Sequence, residues 1–251
     1  ALYETLSLAQ EMARQSDGAF DVTSGTLTEL WDAARAAQHP PTAEEIAAAQ
    51  SRVDWHALEL RERAADDGEH PEVRLLRAGM KIDRGALIKG LALDGIARSW
   101  AAGGAVNALA DLGSSSILAC GVNAEGEPWR IGVRNPRGES RSDLAATVQL
   151  SDAMLSASGD DERYFLYEGR RYHHLVDPRT GDPAETGLAS VTVILPQDAM
   201  TGTMWAGHEG QLSDMLSTAI FVMGAERGRS LLTDIPGAQL ILIGTDGRVI
   251  E

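Results

Sequence analysis

The chain has 251 residues, of which 43% are hydrophobic and 24% are charged, an ordinary composition for a globular protein of one large domain or two small ones. Its net charge of −15 at pH 7 argues against nucleic acid or an anionic membrane surface as a general partner, because both present negative phosphate. One cysteine, Cys120, excludes an intrachain disulfide, and no apolar run reaches the roughly 18 residues of a membrane helix, so no transmembrane segment is predicted.

Three helices are predicted in the N-terminal part. Leucine and methionine at helical spacing predict the first over residues 2–16, which Asp17 and Gly18 end. Ser24 can cap a second helix that runs to Ala37. Thr42 begins a third helix, with the Thr-x-x-Glu pattern of a capping box.

The next segment alternates loop, strand and helix. Residues 62–72 are charged and contain glycine, which predicts an exposed hairpin loop. Short strands are predicted after it at Val73–Leu75 and Met80–Ile82. Apolar residues at helical spacing then predict a helix over Ala86–Ala101.

The second half of the chain is dominated by a strand pattern. Runs of helix followed by runs of strand predict an α+β fold, with an antiparallel sheet and helices packed on it. A helical pair is predicted over Leu212–Leu232, and a closing hairpin joins Gln239–Ile243 to Val249–Ile250. The other predicted strands are Val106–Ala110, Ser116–Cys120, Trp129–Val133, Ala145–Leu150, Met154–Ala157, Tyr164–Tyr167, Tyr172–Val176 and Ala189–Leu195.

The segment from His174 to Gly181 sets an imidazole, a carboxylate and a guanidinium within eight residues. Its Asp-Pro and Thr-Gly pairs are also ordinary turn residues, since proline disfavours helix at Asp177 and glycine allows a positive φ. Taken alone, the segment predicts either a polar turn or a reactive loop.

Four other segments accompany this one in a fixed order: Phe20–Gly25, Ile82–Asp94, Ser158–Asp160 and Asp214–Ala219. Together the five resemble the motifs F-D-P-T, D-L-G-G-I-A-K-G-Y-A-x-D, T-S-G-D, H-I-x-D-P-x-T-G and A-D-x-x-x-T-A. These motifs belong to the FAD:protein FMN transferase family, also called ApbE or thiamine-biosynthesis lipoprotein-like. Order and spacing match over roughly residues 18–245.

The resemblance implies a T-fold-like α+β fold and a single domain over residues 1–251, helical over about 1–101 and sheet-rich over about 102–251. It implies that FMN passes from FAD, with Mg²⁺, to a threonine or serine hydroxyl of a recipient flavoprotein, giving a phosphoester-linked flavin and AMP. Two alternatives stay open: a Mg-dependent pyrophosphatase that splits FAD into FMN and AMP, and a non-catalytic FAD-binding protein.

A metal site is suggested by Asp214 and Thr218, which are four residues apart and therefore share one face of a helix. Mg²⁺ prefers oxygen ligands and often binds through one or two protein groups together with substrate phosphate. The resemblance implies the backbone carbonyl of Ile88 as a third ligand. The alternative is that Asp214 caps its helix and Thr218 faces the core.

Phosphate binding is expected where Lys89 and Gly90 stand near the start of a helix, because free backbone N–H groups and the helix dipole attract anions. The resemblance assigns to FAD binding the residues Asp83, Lys89, Gly90, Ser158, Gly159 and His174. Turn formation is the alternative for Ser158 and Gly159.

His174 is a candidate general base for the incoming hydroxyl, because its pKa range suits proton transfer near neutrality. Asp177 could orient that imidazole or accept the proton itself. A structural role for His174 is the third alternative.

Several positions depart from the family pattern, and Thr201–Gln211 is interpreted as an insertion. These features suggest a specialised maturation factor for an electron-transfer system, as in nitrous-oxide respiration. Family members usually carry an export signal or lipobox, so the resemblance leads us to expect a location in the periplasm or on the outer face of the cytoplasmic membrane. The departures are Val22, Ala86, Ser114, Ser115, Ala157 and Asp161.

Overall fold

The computed structural model describes residues 2–62, 70–113, 115–140 and 142–250, and the chain forms two compact units. The first unit comprises Ala1–Arg84 and Arg163–Ala184, and the second comprises Gly85–Glu162 and Glu185–Glu251. The α+β class is confirmed. The single domain predicted over residues 1–251 stays a prediction.

Among its described residues, the first unit contains three α-helices and two antiparallel strand pairs. Trp31, Ala34 and Phe165 form its small buried cluster, with Tyr172 stacked on Phe165 at a centroid distance of 5.2 Å. Its elements are α1 (Leu2–Gln15), α2 (Gly25–Ala37), α3 (Ala43–Gln50), a 3₁₀ turn (Trp55–Ala57), and the antiparallel pairs β1 (Leu58–Arg61) with β2 (Glu72–Leu75) and β8 (Tyr164–Tyr167) with β9 (Arg170–His173).

The strands of the second unit are β3 (Ala108–Asp111), β4 (Ser116–Cys120), β5 (Trp129–Arg134), β6 (Leu144–Leu150), β7 (Ala153–Gly159), β10 (Leu188–Pro196), β11 (Gln239–Gly244) and β12 (Val249–Ile250). Six of them form an antiparallel sheet in the order β12-β11-β10-β7-β4-β3, and β5 and β6 form a separate hairpin. Its helices are α4 (Ile88–Gly103), α5 (Glu209–Met223) and α6 (Ala225–Ser230).

Strand periodicity explains how this sheet is covered on both faces. Leu118 and Met154 pack with Leu93 of α4 on one face. Ile117 and Leu155, each one residue along, point to the other face and pack with side chains of the β5–β6 hairpin. Because both faces are covered, β7 and β10 are buried along most of their length.

Most predicted elements agree with the structure to within two or three residues, and three details were wrong. Met80–Ile82 is not a strand but contributes an isolated bridge between Lys81 and Ser24. The strand predicted to reach Val176 ends at His173, because the chain turns there. Ser24 precedes α2 without a side-chain cap, whereas the capping box of Thr42 is confirmed. Most of the loop predicted over residues 62–72, and Ser114, lie outside the described residues.

Within the part of the chain that is described, no helix is both long enough and apolar enough to cross a membrane.

Candidate functional site

In the second unit, helices α4 and α5 approach closely at two glycines. A Cβ on Gly90 would lie 2.5 Å from the carbonyl oxygen of Gly210, and one on Gly210 would lie 2.7 Å from the carbonyl oxygen of Gly90. These distances are shorter than van der Waals contact, so the crossing requires glycine on both helices. The Lys-Gly pair of the sequence motif therefore serves packing at this position.

Each of the two helices also provides a carboxylate that caps the start of the other helix. Asp94 of α4 accepts hydrogen bonds from the backbone N–H of Gly210 at 2.7 Å and from that of Gln211 at 3.3 Å, in the first turn of α5. Asp214 of α5 accepts a hydrogen bond from the N–H of Gly90, in the first turn of α4, at 3.1 Å. Each carboxylate thus satisfies amides that the other helix leaves unpaired.

Asp94 received no role from the sequence, although it closes the second motif. It is 1% exposed, and burial raises its pKa while hydrogen bonds from Gln211 and Gly210 lower it. The Gln211 side chain donates to Asp94 at 2.9 Å and lies 2.9 Å from Nδ1 of His208. The signal that could have identified this role is the pairing of two aspartates with two helix-start glycines, but it needs knowledge of which helices meet.

The predicted insertion ends in ordered turns that join α5 directly. Trp205 is buried, and Glu209, in the first turn of α5, is 2% exposed. Burial raises the pKa of Glu209, while hydrogen bonds from the backbone of Gly207 and Met200 lower it. The inserted residues are therefore anchored to the helix that carries Asp214.

The predicted metal ligands Asp214 and Thr218 lie four residues apart on α5, where Asp214 contacts the first turn of α4 and Thr218 contacts Ser158. The Thr218 hydroxyl lies 3.2 Å from the Ser158 hydroxyl, which is also 2.9 Å from that of Ser217. Burial raises the pKa of Asp214, and the positive charge of Lys89 lowers it. Oδ2 of Asp214 accepts the hydrogen bond from the Gly90 N–H, so Oδ1 is the oxygen that a cation would contact.

The donor set is compatible with Mg²⁺ in a sparse site. No group of three His, Cys, Asp or Glu side chains that could hold a metal occurs within the described ranges. A site here would therefore combine the Asp214 carboxylate with neutral oxygens from Thr218 and the backbone of Ile88, the first residue of α4. Such mixed oxygen ligands suit Mg²⁺ when substrate phosphate supplies the remainder.

Lys89 and Gly159 lie at one end of the sheet with this group. The Lys89 ammonium donates to the Ser115 hydroxyl at 2.6 Å, just before β4 begins. Ser158 and Gly159 end β7. Arg137 pairs with both oxygens of the buried Asp160, at 2.7 and 2.5 Å, and so fixes the chain after Gly159.

In the first unit, the two adjacent histidines have different surroundings. His173 is buried, with Nε2 3.1 Å from the Ala184 carbonyl oxygen and Nδ1 accepting from the Leu175 N–H at 3.3 Å. His174 is half-buried and lines a small cavity beside Trp31. His173 therefore fixes the loop, and both histidines line this cavity, with His174 the more exposed of the two.

The Asp-Pro-Arg-Thr-Gly segment is a closed turn in which Asp177 bonds to its neighbours. Its carbonyl oxygen accepts from the Gly181 N–H at 2.8 Å, and its carboxylate accepts from both the backbone and the guanidinium of Arg179. Gly181 has a φ of +83°, which L side chains rarely adopt. The turn expected from the residue types is thus present.

The remaining motif residues of this unit hold loops together. Asp21 accepts from the Thr23 hydroxyl at 2.7 Å and from the Trp55 N–H at 3.0 Å. Asp83, assigned to FAD by resemblance, accepts from the Thr28 hydroxyl at 2.7 Å and donates its N–H to the Val22 carbonyl at 2.7 Å. Asp83 and the F-D-x-T motif therefore stabilise one region, around the start of α2.

These features define an α+β protein with a buried helical carboxylate, an adjacent hydroxyl and a lysine at one end of an antiparallel sheet, a class of site suited to a cation and a phosphate. The chain belongs to the ApbE family, whose family model matches residues 1–242.

Relatives of known name support this assignment. The chain is 33% identical to the FAD:protein FMN transferase of Treponema pallidum, covering 99% of this chain and 67% of that protein. It is 29% identical to the enzyme of the same name from Haemophilus influenzae, covering 97% and 66%. The chain therefore spans about two thirds of the length of these curated relatives.

Comparison with solved structures agrees with the assignment to the ApbE family. The crystal structure of the ApbE protein from Thermotoga maritima matches with a TM-score of 0.77 at 33% identity, covering 100% of this chain and 75% of that one. The flavin transferase ApbE from Vibrio cholerae matches with a TM-score of 0.76 at 25% identity, covering 98% and 72%.

Proposed function

We propose that this protein is an FAD:protein FMN transferase, which moves FMN from FAD to a threonine or serine hydroxyl of a recipient flavoprotein. The relatives of that name support the activity. The structural observation that carries the proposal is the Asp214 carboxylate, placed with Thr218 on one face of α5 and bonded to the first turn of α4.

The reaction is a substitution at phosphorus. The acceptor oxygen bonds to the phosphorus on the FMN side of FAD, the bond from that phosphorus to the bridging oxygen breaks, and AMP leaves with that oxygen. The acceptor proton passes to a base of the protein. Positioning and charge neutralisation supply most of the acceleration in chemistry of this kind.

The residues of the second unit would bind the pyrophosphate. Mg²⁺, held by Asp214, Thr218 and the Ile88 carbonyl, would neutralise charge on the phosphates. Lys89 adds a positive charge whose position is fixed by its bond to Ser115. Because the Gly90 N–H is bonded to Asp214, the N–H groups that the start of α4 would offer to the phosphates are those of Ile88 and Lys89.

His174 is our candidate for the base, because the Asp177 carboxylate already accepts three hydrogen bonds from Arg179. We also propose that the activity is located in the periplasm or on the outer face of the cytoplasmic membrane, and that it serves the maturation of an electron-transfer system. These two proposals rest on resemblance to the family.

The test is incubation of the protein with FAD, Mg²⁺ and candidate recipient domains, followed by measurement of AMP and of flavin that stays on the recipient after denaturation. Bound flavin with matching AMP supports the transferase. Free FMN and AMP without bound flavin would instead identify a pyrophosphatase. FAD binding without AMP would identify a carrier.

A further inference from the structure

A cleft of about 230 Å³ lies in the second unit between the six-stranded sheet and the β5–β6 hairpin. It opens on the face of the sheet opposite α5. This follows from the alternation along β7, where Ser156 and Ser158 contact hydroxyls of α5 while Ala157 and Gly159 line the cleft.

The floor of this cleft contains a buried hydroxyl that lacks a partner. Thr192 of β10 is 1% exposed and lines the cleft, and its Oγ1 has no hydrogen-bond partner in the described part of the chain. Leaving such a group unsatisfied costs about 1–3 kcal/mol. A ligand that supplies a backbone N–H or C=O would remove this cost.

The charges at the cleft disfavour a phosphate ligand. Arg134 is paired with Asp161 at 2.5 Å and with Glu162 at 2.6 Å, so one positive charge faces two carboxylates. The whole chain carries a net charge of −15. A neutral or positively charged polypeptide therefore fits this lining better than a dinucleotide does.

The cleft also reaches the end of the sheet that carries the candidate active site. Gly159 lines the cleft, and the preceding residue, Ser158, contacts Thr218. Ser115 lines the cleft and accepts the hydrogen bond from Lys89. A segment in the cleft would thus end within one or two residues of the groups proposed to bind pyrophosphate.

We propose that this cleft receives an extended segment of the recipient protein and leads its acceptor hydroxyl toward Lys89 and Asp214. The proposal rests on the proposed transferase function and adds to it the site at which the protein substrate docks. Main-chain groups of the segment would bond to the Thr192 hydroxyl, while the apolar walls at Ile117 and Leu155 would contact its side chains.

Two variants test the docking site. Ala157→Leu fills the cleft, and Thr192→Val removes the hydroxyl while keeping the side-chain shape. Ala102→Leu, on the exposed side of α4, is the matched control. For each purified protein, we would measure the Kd for the recipient domain by calorimetry, the Kd for FAD by fluorescence, and the KM for the recipient in flavin transfer.

We expect Ala157→Leu to raise the Kd and KM for the recipient at least tenfold, and Thr192→Val to raise them about fivefold, with FAD affinity unchanged. Recipient affinity equal to that of the wild type in both variants would overturn the docking site. A loss of FAD affinity in these variants would also overturn it, because it would place the dinucleotide in the cleft. Absence of recipient binding by the wild type would overturn it as well. Wild-type binding that Ala157→Leu abolishes, without flavin transfer, would support the docking site and reject the transferase function.

Discussion

Arg179 holds the carboxylate of Asp177 from two directions: Oδ1 accepts from its backbone N–H at 2.9 Å and from Nε at 2.8 Å, and Oδ2 accepts from Nη2 at 2.7 Å. A bidentate pair of this kind fixes both side chains. The acceptor positions of Asp177 are therefore largely occupied by the turn itself, whereas His174 lines a cavity.

If His174 is the base, His174→Ala slows flavin transfer by about 10²- to 10⁴-fold and leaves FAD affinity nearly intact, since the base acts on the incoming hydroxyl. Single-turnover transfer and FAD titration measure the two quantities. His173→Gln is the control, and it should lower the melting temperature because His173 holds Ala184 and Leu175.

A fall in FAD affinity together with rate would show that His174 binds the pyrophosphate instead. Loss of transfer in Asp177→Asn, with normal transfer in His174→Ala, would assign the proton to Asp177.

Asp214→Asn should abolish transfer, because it removes the charged ligand that we propose for the metal while keeping an oxygen that can accept from Gly90. Mg²⁺ affinity should fall with it, as measured by calorimetry in the presence of FAD. The unfolding free energy serves as the control and should change little. Turnover within about tenfold of the wild type, or about 1.4 kcal/mol of barrier, would place the metal elsewhere.

Two glycines of α4 offer a matched test of the helix crossing. Gly90→Ala should destabilise the protein by about 1–3 kcal/mol, because the added Cβ would meet the backbone of α5 at 2.5 Å. Gly95→Ala adds its Cβ to open space and should stabilise by about 0.5–1 kcal/mol. Chemical denaturation measures both, and equal effects would contradict the close approach.

Asp94 should make the unfolding free energy depend on pH. Burial raises its pKa in the folded state, so between the ordinary value near 3.8 and that raised value the folded protein binds more protons than the unfolded chain. Stability contributed by this group is therefore present at low pH and falls as the pH rises through that window. The difference in unfolding free energy between the wild type and Asp94→Asn should decline over that range and then level off. A difference that grows with rising pH would contradict the shift.

Local pattern was sufficient to predict many elements of this fold. Ser116–Cys120 and Tyr164–Tyr167 were predicted with the bounds observed, since apolar, β-prone runs between turn residues leave little alternative. Leu58–Arg61 was missed because half of its residues are charged and its partner strand begins only at Glu72.

The candidate site was predictable only where the chemistry is local. Asp214 and Thr218 share a helix face whatever surrounds them, so their spacing was informative. The capping role of Asp94 and the cleft at Thr192 depend on which elements meet in space. The aspartates and glycines that cap the two helices are visible in the sequence, but their pairing and the unsatisfied hydroxyl become apparent only in the folded structure.

The mutual capping of α4 and α5 also predicts how this part of the protein unfolds locally. Neither helix caps its own first turn, because N–H groups at the start of each donate to an aspartate of the other helix. Separation of the pair therefore exposes both helix starts at once, and the two should unfold as one cooperative segment. Amide hydrogens of α4 and α5 should exchange with similar opening free energies, so that Asp214 and Lys89, which we propose to bind Mg²⁺ and phosphate, are retained or lost together.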